Sequence, residues 1–234
     1  MLNSIHRDAG FSLIELLIGV TIAGILLEMG IPSFKSWLQN TEIRTAAESI
    51  QNGLELARAE AVRRNTQVRF QLTSSVDNNC TLAPGIPPAP TVQGNWVISL
   101  DDPTHLCGSA KLNDAHPIGD ATNNPAPRII QTRPAGAGTA NVAMASQEVG
   151  GGTLYDGSIT FNGMGRVVST SLTPGDTVQI DITNPVIGGS CATLTGGGPM
   201  RCLRVNVTSG GLIRQCNPLW TSVPGLANSD PQGC

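Results

Sequence analysis

Glu15 stands five residues into an apolar run that begins at Phe11 and continues to Ile31. Roughly 21 such residues, at about 1.5 Å of helix each, span a bilayer core. A carboxylate inside a membrane helix costs about 2.5–3.5 kcal/mol on insertion scales, so its chemistry is charge pairing with a cation. The nearest cation is an α-ammonium that would exist if the chain were cut between Gly10 and Phe11. Glu28, a second acid near the far end of the run, poses the same problem again.

Other reactive side chains point away from catalysis. No Ser-His-Asp order, pair of acids or phosphate-binding loop stands out, and neither His105 nor His116 has a catalytic neighbourhood. Gly136-Ala137-Gly138 lacks the strand-turn-helix frame of a dinucleotide site. His105, Cys107, Asp114 and His116 cluster in sequence, but the absence of a CxxC pair argues for a disulfide-bearing loop over a metal site. No cofactor is expected. All six cysteines (Cys80, Cys107, Cys191, Cys202, Cys216 and Cys234) follow the apolar run, as in an exported, oxidised domain. Proximity favours the pairs Cys80–Cys107, Cys191–Cys202 and Cys216–Cys234, although sequence does not choose among the connectivities.

The elements that must position these groups follow from periodicity. Ile43, Ala47, Ile50, Leu54, Ala57 and Ala61 recur at steps of four and three, which places them on one helix face. Glutamates and arginines fill the other face, Asn65 is a stop, and Arg63 and Arg64 suit the negative end of the helix dipole. Thr66–Thr73 alternates as a half-buried strand. Further strands are expected at Asn95–Leu100, Arg128–Thr132, Ser158–Asn162, Gly165–Ser169, Asp176–Thr183, Arg201–Thr208 and Leu212–Cys216. Asn162-Gly163-Met164-Gly165 supplies a hairpin turn. Segments 74–94, 101–127 and 133–152 read as long surface loops, either functional or mobile. With 27 glycines, 16 prolines and a net charge of −3, the chain is not built for bulk attraction to nucleic acid or anionic lipid. Acidic residues outnumber basic ones from Gln67 onward.

Gly10 followed by Phe11-Ser12-Leu13-Ile14-Glu15 resembles the class III signal of type IV pilins and type II secretion pseudopilins. Within that superfamily, Gly53 to Asn65, Asn95-Trp96-Val97 and Ile159 to Val167 are similar to the GspH/FimT family. The resemblance implies an α+β fold, with a long N-terminal helix packed on antiparallel sheets with long loops. It divides the chain into a cleaved leader (1–10), a transmembrane helix half (11–31), an amphipathic helix half (32–65) and a β-rich periplasmic domain (66–234). A prepilin peptidase would cleave after Gly10 and methylate the new N-terminus at Phe11, and Glu15 would act in assembly. Pro32 matches the pilin pattern and would kink or locally melt the helix, whereas Glu28 departs from that pattern.

The function so implied is a minor pilin or pseudopilin, not an enzyme. It would help initiate or cap a type IV pilus or a type II secretion pseudopilus, and the disulfide-rich C-terminus leans towards the pilus. Expected partners are other minor and major pilins or pseudopilins, the inner-membrane assembly platform, and membrane lipid before assembly. The location would be the bacterial inner membrane, in a single pass with the N-terminus cytoplasmic and the globular domain periplasmic. Some FimT-like proteins instead receive DNA through a Gly-Arg-x-Arg motif. The comparable Gly210–Cys216 region keeps only Arg214, and Arg201 and Arg204 are the other candidate phosphate contacts. Gly10→Val is expected to block processing, so that immunoblots of membranes carry only the unprocessed length; a mature-sized product would refute the assigned cut.

Overall fold

The computed structural model describes residues 12–82, 94–136, 138–149, 157–168, 176–185, 190–226 and 228–234. The expected leader, Gly10 and Phe11 lie outside the described residues, as do 83–93 and 150–156. The chain divides into two compact units, Met1–Leu38 and Gln39–Cys234.

In the first unit the described residues form the opening part of helix α1 (Leu13–Arg64). Ser12 caps it: its hydroxyl accepts from the Glu15 amide at 3.2 Å and its carbonyl from the Leu16 amide at 3.2 Å. Apolar side chains are exposed around the whole circumference, from Leu13 through Leu27 to Ile31. Such a surface is stable only against lipid or other apolar helices. Phe34 and Trp37 close this stretch with ring centroids 5.8 Å apart.

In the second unit, the remainder of α1 carries the expected apolar face. Ile43, Ala46, Ala47, Ile50, Leu54, Ala57 and Ala61 are completely buried. The helix ends in a Schellman arrangement, in which Thr66 donates to Ala61 and Asn65 to Val62, both at 3.2 Å. Asn65 takes the left-handed conformation this requires, with φ of 49°.

Eight strands follow: β1 (Val68–Thr73), β2 (Asn95–Ser99), β3 (Ile129–Arg133), β4 (Ala143–Val149), β5 (Ser158–Phe161), β6 (Thr177–Thr183), β7 (Leu203–Thr208) and β8 (Ile213–Cys216). They form two four-stranded antiparallel sheets, ordered β3-β2-β1-β5 and β4-β6-β7-β8. The buried helix face, Phe70 and Leu72 of β1, Ile98 of β2, Ile159 and Phe161 of β5, and alternate residues of β6 and β7 make one continuous core. Each large apolar side chain fully buried there contributes about 1.5–3 kcal/mol of transfer free energy.

Two expectations are corrected. Segment 133–152, read as a loop, contains β4, whose register with β6 runs unbroken from Ala143↔Thr183 to Val149↔Thr177. Its sequence, Ala-Met-Ala-Ser-Gln-Glu-Val, has little strand composition; backbone pairing at a sheet edge supplies what side-chain propensity does not. Gly165–Ser169 is not a strand among the described residues. An isolated bridge, Phe161↔Val167, follows the turn: Asn162 donates to Arg166 at 2.9 Å and Val168 to Thr160 at 2.8 Å, while Val167 donates outward to Ser209 at 3.2 Å, and Ser169 lies outside the described residues.

Gly53 is where helix and sheet meet most closely. A Cβ there would lie 2.8 Å from the Phe70 ring and 3.1 Å from the Trp96 ring. Trp96 is held in turn by donating its indole N–H to Ser49 at 3.0 Å. Gly53→Ala gains about 1 kcal/mol in helix propensity but overpacks the core at a cost of about 1–3 kcal/mol. We expect a net fall in Tm of about 2–4 °C; a stabilised variant in thermal unfolding would contradict this contact.

Candidate functional site

Because Ser12 starts the helix and Glu15 falls three residues later, the pair forms an S-x-x-E capping signature. The sequence reading missed it and took Glu15 only as a membrane charge. Of the two reciprocal bonds of such a box, the one present is Glu15 N–H to the Ser12 hydroxyl. The Glu15 carboxylate is exposed and has no cationic partner among the described residues. Glu28 is likewise exposed and unpaired there. Helix α1 is assigned without a break through Pro32. Proline brings no amide hydrogen, so the Glu28 carbonyl one turn earlier lacks its helical donor.

In the second unit the ionic chemistry is structural. Glu60 accepts from Arg63 and Arg64, each at 2.7 Å, and Arg64 reaches Asp114 at 2.7 Å while Arg63 reaches it at 3.3 Å. Burial pushes the Glu60 carboxyl up, but the Arg63 and Arg64 bonds outweigh it and hold it below the usual carboxylate range. Asp114 is held low first by Arg64, against a little desolvation, and then by Arg63. This cluster fastens loop 101–127 to the end of α1. The same loop is anchored by Arg128 on Asp101 and by Asn124, whose amide donates to the carbonyls of Asn113, His116 and Pro117 at 3.2, 3.3 and 3.1 Å.

Disulfides join Cys80–Cys107, Cys191–Cys202 and Cys216–Cys234. Cys107 is thereby committed to sulfur, and Asp114 to arginine. His105, Cys107, Asp114 and His116 form no metal-binding group, and no other such group occurs among the described residues. Cys80 and Cys107 cover Val97 and Ile129 as a second apolar cluster on the far face of the first sheet. That explains why β2 is buried along its whole length.

The arginines considered for DNA are engaged separately. Arg204 pairs with Asp181, its cross-strand neighbour on β6, at 2.6 Å. Arg214 donates to the carbonyls of Pro231 and Gly233 at 2.8 and 3.0 Å, holding the C-terminal segment onto β8. Arg201 is exposed and has no carboxylate partner among the described residues, while its backbone amide donates to Asn40 at 2.7 Å.

An exposed apolar helix with an acid in its first turn, leading into a helix clasped by two antiparallel sheets, defines a pilin-like α+β subunit. Two family models match the chain: the type II transport protein GspH over residues 46–211, and the prokaryotic N-terminal methylation motif over residues 5–27. The chain belongs to the GspH family. It is a subunit of the minor pilin or pseudopilin class, and the methylation motif implies processing by prepilin peptidase. No functionally curated protein matches it. Among solved structures, two crystal forms of the type IV minor pilin FimU of Pseudomonas aeruginosa are similar at 13% and 14% identity. They cover 74% of this chain and 90% and 87% of theirs, with TM-scores of 0.39 and 0.38.

The depressed Glu60 and Asp114 values carry a pH signature. A carboxylate whose folded pKa lies below its unfolded value adds stability above the unfolded value, near 4. That contribution is lost as pH falls through the lower folded value. Arg64→Ala should therefore cost about 1 kcal/mol at neutral pH. The penalty should shrink below about pH 4, where both acids protonate in the unfolded chain. Thermal unfolding of the two proteins from pH 7 to pH 3 checks this; a pH-independent difference would show that the loss is packing alone.

Proposed function

We propose that this chain helps to initiate or cap assembly of a type IV pilus, with the mature N-terminus at Phe11 as the contact that draws neighbouring subunits into register. The observation that carries this reading is Glu15: a carboxylate in the first turn of an apolar, unburied helix, with no cation among the described residues. Cleavage after Gly10 creates an α-ammonium at the same end of the helix. In a bilayer each of these charges is costly alone, and a charge left unpaired is worse than a pair. Docking one helix out of step with its neighbour lets the ammonium of one subunit meet Glu15 of the next.

The exposed Leu13, Ile14, Leu17 and Ile18 then pack between helices, where they had faced lipid. Pro32 supplies a point at which the helix unwinds on assembly, since the carbonyl of Glu28 is already short of a donor. Before assembly the subunit sits in the bacterial inner membrane, N-terminus cytoplasmic and sheets periplasmic. Prepilin peptidase, other pilins and the assembly platform are its partners. Three bridges in the exported unit support a pilus over a secretion pseudopilus. The DNA-receptor reading has less support, because Arg204 and Arg214 are held by Asp181 and by the C-terminal segment.

Glu15→Ala should leave cleavage and membrane insertion intact while reducing recovery of the subunit in sheared filaments by about tenfold, equivalent to about 1.4 kcal/mol of lost pairing. Quantitative immunoblotting of membrane and filament fractions reads both quantities. Unchanged incorporation would remove the pairing mechanism.

A further inference from the structure

The second unit contains a cavity of about 410 Å³ between two disulfide-closed loops, one closed by Cys191–Cys202 and the other by Cys216–Cys234. Ala192, Leu194, Met200 and Leu219 give it an apolar lining, and Arg201 and Asn228 add polar groups to its wall. Leu194, one of the lining residues, is 58% exposed.

The walls are fixed independently of any occupant. On one side Ala192 donates to Met200 at 2.8 Å, Gly198 to Cys191 at 3.2 Å, and Arg201 to Asn40 of the helix at 2.7 Å. On the other, Thr221 donates to Asn228 at 3.0 Å and Asn217 to Gln232 at 2.7 Å. Arg201 therefore lines an apolar recess from a backbone position that is pinned, its side chain is exposed, and no carboxylate of the described residues neutralises it. The Asn228 side-chain amide is also uncommitted among the described residues.

We infer that this cavity is a docking site for an extended segment of a neighbouring filament subunit, one that carries an Asp or Glu side chain between apolar residues. The apolar neighbour enters the recess, the carboxylate meets Arg201, and the Asn228 amide takes a backbone group of the segment. The charge pattern selects this occupant. A single cation beside an apolar hollow suits one carboxylate on an apolar chain, whereas a nucleic-acid backbone needs several clustered cations. Neither Arg204 nor Arg214 lines the cavity: Arg204 is paired with Asp181 and Arg214 is held by carbonyls of the C-terminal segment. The inference takes its partner from the proposed place in a filament, but docking at Arg201 does not require pairing at Glu15.

The test uses the full chain after natural processing, purified in detergent micelles, with fluorescein-labelled Gly-Ser-Leu-Glu-Leu-Ser-Gly amide followed by fluorescence anisotropy. Saturable binding of this peptide, weakened about tenfold both by Arg201→Gln and by replacing the peptide glutamate with glutamine, is the expected result. Arg201→Glu should in turn prefer the peptide bearing lysine in place of glutamate. Arg166→Gln, an exposed arginine on another turn, should change nothing, and retained disulfides by mass spectrometry would show each variant folded. The inference is overturned if the glutamate and glutamine peptides bind alike, or if Arg201→Gln binds like the parent. It is equally overturned if only a free C-terminal carboxylate binds, or if a single-stranded oligonucleotide displaces the peptide at equal concentration. Because no filament is involved, failure here leaves the Glu15 experiment informative, and failure there leaves this one so.

Discussion

Helix α1 has to satisfy two different solvents with one continuous backbone. Over Leu13–Leu38 apolar side chains face every direction, and among the described ones none of the large ones is buried. From Ile43 onward the apolar residues narrow to one stripe, and the stripe is fully enclosed. The change is made with small residues. Ala46, Ala47, Ala57 and Ala61 let two sheets approach a single helix, and Gly53 gives up helix propensity to admit the rings of Phe70 and Trp96. Had the stripe been leucine throughout, the sheets would stand further off and the core would lose the contacts that make it dense.

The treatment of carboxylates follows the same division. In the second unit acids are answered locally: Glu60 by two arginines, Asp181 by Arg204, Asp101 by Arg128. Glu42 receives the amides of Asn141 and Asn184 at 3.1 and 2.6 Å, joining the helix to the start of β4 and the end of β6. In the first unit Glu15 and Glu28 have no such answer among the described residues.

Much of this was legible in the sequence because it rests on periodicity. The stripe from Ile43 to Ala61, the stop at Asn65 and the alternation through Val68, Phe70 and Leu72 are local signals, and each corresponds to an observed element. The bridges join cysteines that are also neighbours in sequence. What was not legible depended on distant partners. β4 is a strand because β6 lies beside it, and the Gly165–Val168 segment divides its backbone bonds between Thr160 of β5 and Ser209. For the site, Ser12 was readable as a cap and was overlooked. The pairing of Arg204 with Asp181 needed the β6–β7 register, which no spacing within either strand reveals.

The Cys80–Cys107 bridge has a consequence for which flank of the second unit faces the world. With loop 101–127 laid over Val97 and Ile129, the first sheet is roofed on one face and occupied by the helix on the other. The second sheet keeps a row of half-exposed polar side chains, Thr177, Arg204 and Asn206 among them, opposite its buried valines and isoleucines. Within the second unit, one sheet thus commits both faces to the fold, while the other keeps a polar face to solvent among the described residues.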